Sequence, residues 1–288
     1  MEAQGIRLNK FLSEAGVCSR READRLAEEG RITIDGREAR PGDRVLPGQK
    51  IVCMGRTITA GGRGESPTGQ KTDGAEKKDS TKNGESHKAE PVFLAVNKPK
   101  GIVCTTSTRD RAENIVDMVG YPVRIYPVGR LDKDSEGLIF MTNQGDLVNK
   151  IMRSGNYHEK EYLVGVNRPV TDEFIQKMRQ GVYLEELDTV TRPCFAEKTG
   201  NRSFRIILTQ GLNRQIRRMC MALGYRVRNL KRVRIMNVRL GDLPSGQYRN
   251  LTREEYRDLL SQLKDSSNQP AAMRDEERRG AWTKKSPK

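Results

Sequence analysis

The chain has 288 residues, 35% hydrophobic and 32% charged, with a formal charge of +15 at pH 7 and a pI near 9.7. That length allows two domains, or one with tails, and the charge balance points to a polyanionic partner, nucleic acid first. No apolar stretch approaches bilayer-spanning length, no signal-peptide pattern opens the chain, and five scattered cysteines with only His87 and His158 exclude a disulfide frame, a zinc site and most Ser-His chemistries.

In chain order, Leu8, Phe11, Leu12 and Ala15 repeat at helical spacing within Arg7 to Ala15, and Gly16 is placed to stop that helix. Ser19 and Glu22 form a capping box for a second helix, which runs through Ala23, Leu26 and Ala27 to Gly30. A strand from Arg31 to Ile34, an Asp35-Gly36 turn and a strand around Val45 to Val52 follow. This small core predicts a first domain over residues 1–58, with Arg7, Lys10, Arg20, Arg21 and Arg25 as a candidate phosphate-contacting side. Solvation alone is the other account of those cations. Residues 59–90 hold almost no large apolar side chain and predict a flexible linker, and 265–288 predict a basic tail of the same kind.

The segment 91–264 carries 30 basic and 19 acidic residues, and within it 203–240 has ten basic residues and no acidic one. A solvated face normally mixes signs, so this run predicts an RNA- or DNA-contacting surface. Strands are expected at Phe93 to Val96, Val123 to Val128, Leu138 to Met141, Glu161 to Val166 and Ser203 to Leu208. Lys98 to Gly101 reads as a basic turn, and a helix follows Gly145. Thr171 caps a helix ending at Gly181, and Asn213 can cap another from Arg214 to Leu223. From Tyr225 to Leu240, Val233 and Ile235 fall on one face, Arg232 and Arg234 on the other. Interleaved strands and helices without regular βαβ punctuation predict an α+β fold with a mainly antiparallel sheet.

One turn stands apart. In Gly129-Arg130-Leu131-Asp132-Lys133-Asp134-Ser135-Glu136-Gly137-Leu138, a carboxylate sits between two cations after an apolar strand. Asp132 should therefore stay ionised, which suits a nucleophile or an electrostatic stabiliser better than a general acid. A surface turn with neighbouring ion pairs is the competing account. Asp134 and Glu136 alternate with Lys133 and Ser135, which suits a solvated turn more than a metal cage.

Residues 5–54 resemble the α-L RNA-binding motif first described in ribosomal small-subunit protein four. The matching runs are Arg7-Leu8-Asn9-Lys10-Phe11-Leu12, Ser19-Arg20-Arg21-Glu22-Ala23-Asp24 and Gly30-Arg31-Ile32-Thr33-Ile34-Asp35-Gly36. Downstream, the chain resembles the RsuA-type pseudouridine synthases. This rests on Asn97-Lys98-Pro99-Lys100-Gly101, Gly129-Arg130-Leu131-Asp132, Lys160-Glu161-Tyr162 and the run Gly211-Leu212-Asn213-Arg214-Gln215-Ile216-Arg217-Arg218-Met219. Glu159 to Val164 and Arg234 to Val238 are most similar to the RluF branch, and the long linker departs from the family pattern.

The resemblance implies a synthase catalytic domain over 91–264, docked to structured ribosomal RNA, most simply that of the large subunit. It implies Asp132 as the catalytic carboxylate, Arg217 as its ion-pair partner, and Tyr162 packed on the flipped uracil and assisting proton removal. From spacing alone Tyr162 is a half-buried strand aromatic. Arg130 would enter the stack that the base leaves, with Arg214 and Arg218 as further RNA contacts. No cofactor, no metal, no membrane and a monomer in the cytoplasm are expected. A non-catalytic ribosome-assembly factor, a synthase of small-subunit or transfer RNA, and a nuclease stay open as alternatives.

Overall fold

The computed structural model describes residues 5–59, 90–105, 113–264 and 266. Apart from Thr59, Glu90 and Ser266, the expected linker and tail lie outside the described residues. The chain divides into two compact units, Met1–Glu90 and Pro91–Lys288.

In the first unit, β1 (Ile6–Arg7) leads into α1 (Leu8–Glu14), and α2 (Arg20–Glu28) follows with the Ser19 hydroxyl accepting the Glu22 N–H at 3.1 Å. Strands β2 (Ile32–Ile34), β3 (Arg37–Glu38), β5 (Lys50–Cys53) and β6 (Arg56–Thr59) form a four-stranded sheet, and β4 (Arg44–Val45) pairs with β1. The single strand expected over Val45 to Val52 is thus two, because Pro47 and Gly48, the latter at φ 89°, turn the chain between them. Leu8, Leu12, Leu26, Ile32 and Ile51 close the core between helices and sheet.

The second unit is built on a nine-stranded mixed sheet. Its strands are β7 (Phe93–Lys98), β8 (Tyr126–Val128), β9 (Glu136–Thr142), β10 (Lys160–Val166), β13 (Phe195–Gly200), β14 (Ser203–Leu208), β15 (Val227–Ile235), β16 (Val238–Arg239) and β17 (Tyr248–Asn250). The order is β13-β14-β10-β15-β9-β7-β17, antiparallel throughout except for the short β15–β9 pairing. A small hairpin of β11 (Tyr183–Leu184) and β12 (Thr189–Val190) stands outside it. The expected α+β class with a mainly antiparallel sheet is what the chain adopts.

Helices α3 (Ile115–Val119), α4 (Gly145–Met152), α5 (Asp172–Gln180), α6 (Gln215–Ala222) and α7 (Arg253–Gln262) cover the sheet. Thr171 caps α5 through the Phe174 N–H, as expected, and Thr252 caps α7 with a full capping box. One apolar cluster gathers Val164, Phe174, Phe204 and Ile216, another gathers Leu94, Val96, Ile102, Leu131 and Ile139, and Tyr162 packs against both. The tyrosine therefore stands where two cores on one face of the sheet meet.

Two local expectations are corrected. Asn213 does not cap α6; the cap position is Arg214 in the left-handed region at φ 50°, and Gln215 turns back to accept the Leu212 N–H. Arg232 does not share a face with Arg234. Tyr162 pairs with Arg232 while Glu161 pairs with Arg234, so an extra residue bulges there. The bulge breaks the alternation and turns Arg232 inward.

Candidate active site

The turn from Arg130 to Ser135 joins β8 to β9 and is gripped from several sides. Beneath it, the Leu131 N–H donates to the Cys104 thiol at 3.4 Å, and the Gly101 N–H donates to the Lys133 carbonyl at 2.8 Å. Within it, the Ser135 N–H returns to the Asp132 carbonyl at 3.0 Å. From α6, Arg217 Nη2 donates to the Asp134 carbonyl at 3.0 Å and to Ser135 Oγ at 3.2 Å. A loop normally moves more than the elements it joins. This one is tied to segments about thirty residues before it and eighty after it.

The carboxylates of the turn meet the first arginines of α6. Arg214 Nη1 lies 3.4 Å from Asp132 Oδ2 and 3.3 Å from Asp134 Oδ1, while Arg217 Nη2 lies 3.2 Å from Asp134 Oδ2. The ion-pair partner of Asp132 in this structure is therefore Arg214, and Arg217 holds Asp134. Residues three apart on a helix share a face, so both guanidiniums can reach one turn and sequence spacing cannot rank them. Burial of the Asp134 carboxyl works to raise its pKa. The hydrogen bond from Arg214 and the nearby charges of Arg217 and Arg214 outweigh that and hold it below the ordinary value. The Arg217 Nε is buried without a partner, so its fork has a donor to spare.

Tyr162 is half-buried on β10, and its direct neighbours across the sheet are Ile206 and Arg232. Arg130 is exposed beside the turn. Arg218 is tied to Asn213, by Nε to its carbonyl at 3.0 Å and by Nη2 to its side chain at 3.2 Å, and pairs with Glu186 of the small hairpin. In the first unit Arg7, Arg20 and Arg21 are exposed, Lys10 pairs with Glu14 at 3.6 Å, and Arg25 is engaged by Glu22 and Glu29. The structure thus brings Asp132, Arg214, Arg217 and Arg130 to one turn. The five cations of the first unit belong to the other compact unit.

Sequence reasoning missed a second layer. Lys98, read as part of a turn, ends β7 fully buried, its ammonium donating to the carbonyls of Pro99 at 2.7 Å and Ile102 at 2.9 Å. Those bonds shape the segment that grips Lys133. Burial lowers the pKa of Lys98, while the charges of Asp134, Glu136 and Asp132 work to raise it. Lys160 is buried two residues before Tyr162, its pKa lowered by burial, and then by Arg232, to about 8. Glu161 points to the opposite face, where Arg234 at 2.7 Å and Arg205 at 3.3 Å hold it. Burial of that carboxyl raises its pKa, but the bond from Arg234 and the two positive charges prevail and the net shift is downward. The one available signal was a lysine directly following four apolar strand residues and Asn97, without the polar alternation of an exposed strand end.

Residues 92–222 match the RNA pseudouridylate synthase family model, and residues 6–51 match the S4 domain. The chain is 49% identical over 92% of its length to the Escherichia coli O157:H7 protein named dual-specificity RNA pseudouridine synthase RluF, covering 81% of that protein. It is 30% identical over 88% of its length to the ribosomal large subunit pseudouridine synthase B of Bacillus subtilis strain 168, covering 95% of it. Among solved structures, a crystal structure of a pseudouridylate synthase aligns over 88% of this chain and 99% of that one, with a TM-score of 0.59 and 26% identity.

Proposed function

This chain belongs to the RsuA-type RNA pseudouridine synthases with an N-terminal S4 domain, and from that premise we propose that it isomerises uridine in ribosomal RNA, in the large subunit, through Asp132. The observation that carries the mechanism is the clamped turn: one half-exposed carboxylate, fixed from below and from α6, and following Leu131, whose apolar cluster Tyr162 also packs against. The target nucleotide is flipped out of its stack, at a cost of about a few kcal/mol, offset by phosphate and stacking contacts. A carboxylate oxygen of Asp132 takes C1′ of the ribose while the glycosidic electron pair leaves with the uracil. The base turns, C5 displaces the carboxylate from C1′, and the C5 proton is lost as N1 gains one. Arg214 and Arg217 orient the carboxylate, Arg130 occupies the vacated stack, and Tyr162 packs on the base. Arg7, Lys10, Arg20, Arg21, Arg25 and Arg218 contact the RNA backbone. No step calls for a cofactor.

The large-subunit assignment draws support from the Bacillus relative's name, and the words dual-specificity in the RluF name favour a second RNA class, with transfer RNA as the one to test. The experiment incubates wild type and Asp132→Asn with unmodified large-subunit, small-subunit and transfer RNA transcripts and maps pseudouridine by carbodiimide-dependent primer extension. Wild type is expected to mark the large-subunit transcript. Asp132→Asn is expected to mark none while binding RNA within about threefold of wild type, because no surface cation is removed. A fully active variant excludes the mechanism, and product confined to small-subunit RNA excludes the substrate.

A further inference from the structure

Among the described residues, three cations are buried, Lys98, Lys160 and Arg232, and the only buried carboxylate, Glu161, faces the other side of the sheet. Two of the three, Lys98 and Arg232, meet at the start of β9, where the Asp132 turn ends. Arg232 is the direct partner of Tyr162 on one side and of Gly137 on the other, and Gly137 is in turn the partner of Lys98. Direct cross-strand partners project to the same face of a sheet. Tyr162, Arg232 and Lys98 therefore form one row below the Asp132 turn.

Arg232 is 1% exposed and its Nε donates to the Leu138 carbonyl at 2.6 Å, while Nη2 is buried with no hydrogen-bond partner. No ion pair engages it among the described residues. Its charge is felt at the Cys104 thiol, which accepts the Leu131 N–H immediately before Asp132. Burying a charge without a carboxylate partner costs several kcal/mol, so stability gives no reason for an arginine here. A fixed positive charge in a low-dielectric layer is effective at stabilising negative charge that develops next to it.

We propose that Arg232 is an electrostatic and positioning residue of the isomerisation, holding the start of β9 and lending positive potential, together with Lys98, to the uracil while that base carries the glycosidic electron pair. The proposal rests on the reading given under Proposed function. Arg232 acts from beneath, through the strand and the field, without touching the base. The negative charge it favours exists only between departure of the base and its return through C5, so the effect falls on turnover and not on RNA binding.

The test compares full-length wild type, Arg232→Met and Arg232→Lys on unmodified large-subunit transcript, with single-turnover rates, KM, RNA affinity and thermal midpoint measured on each. Arg232→Met is expected to keep a midpoint at or above wild type, because an unpaired buried charge has been replaced by an apolar chain of similar reach. It is expected to lose at least 100-fold in rate, with KM and RNA affinity within threefold. Arg232→Lys, which keeps the charge, is expected to recover at least tenfold over Arg232→Met. A methionine variant within threefold of the wild-type rate overturns the proposal. So does one that fails to fold, or that Arg232→Lys does not improve, since the role is then structural. If wild type itself makes no pseudouridine in any transcript, the functional reading fails first, and these variants are not needed to learn it.

Discussion

Asp132 was conspicuous in the sequence because a carboxylate between two cations after an apolar strand has few uses, yet its nearest guanidinium is Arg214, not Arg217. Which of two arginines on one helix face reaches a given oxygen depends on where the helix starts. That was hidden by Arg214 adopting a left-handed conformation that no residue type announces. Lys160 was readable only as a motif residue just ahead of an expected strand, and its burial follows from the strands on both sides of it. Its lowered pKa makes a pH prediction. An ordinary lysine titrates near 10.5 and this one near 8, so between those values the unfolded chain binds more protons than the folded one. The stability this group contributes is complete above about 10.5 and is lost as pH falls through about 8. Lys160→Met is accordingly expected to be more stable than wild type at pH 7, by on the order of 1–3 kcal/mol. The gain should shrink as pH is raised from 8 toward 10, as urea midpoints at each pH will report.

Among the elements, those with a single buried face were legible. Ser203–Leu208 alternates inward and outward without a break, and α5 has its cap, its apolar stripe and its terminal glycine in order. What failed were places where two strands approach unusually closely. Gly137 has φ 104°, and a Cβ there would lie 2.3 Å from the Arg232 carbonyl oxygen, so only glycine admits β15 against the start of β9. A lone glycine just ahead of an apolar run carried that information without naming its neighbour. Gly137→Ala is expected to destabilise the chain by about 3 kcal/mol or more, from strain and overpacking together. Turnover should fall further than the remaining folded fraction explains. Urea denaturation and single-turnover kinetics on the same preparation check both; an alanine variant of wild-type midpoint would mean that the strands separate easily at this point.

At the scale of the whole molecule, the charge of +15 is distributed over two compact units, and the resemblance of each unit to a known module was carried by motifs spaced along nearly the whole chain. The sequence could not supply the exact pairing partners of its cations. Several arginines of α6 and of α2 are already held by carboxylates, so RNA must displace these contacts to recruit them. Arg20 and Arg21 are exposed and stand ready. RNA affinity is expected to fall linearly with the logarithm of salt concentration, and Arg20→Gln is expected to reduce that slope by about 1 while leaving turnover of bound RNA unchanged. A slope indifferent to Arg20→Gln would take that side of α2 off the phosphate path.

The place of β15 in the sheet, between β9 and β10 although it follows both in the chain, bears on how the enzyme comes into being. A polypeptide emerging from its N-terminus presents the Asp132 strand and the Tyr162 strand long before the segment that separates them. Until Val227–Ile235 arrives, these are two half-sheets with no common edge, and the proposed site is not yet assembled. Chains released prematurely before that segment should be inert and should regain activity on mixing with a peptide that supplies it.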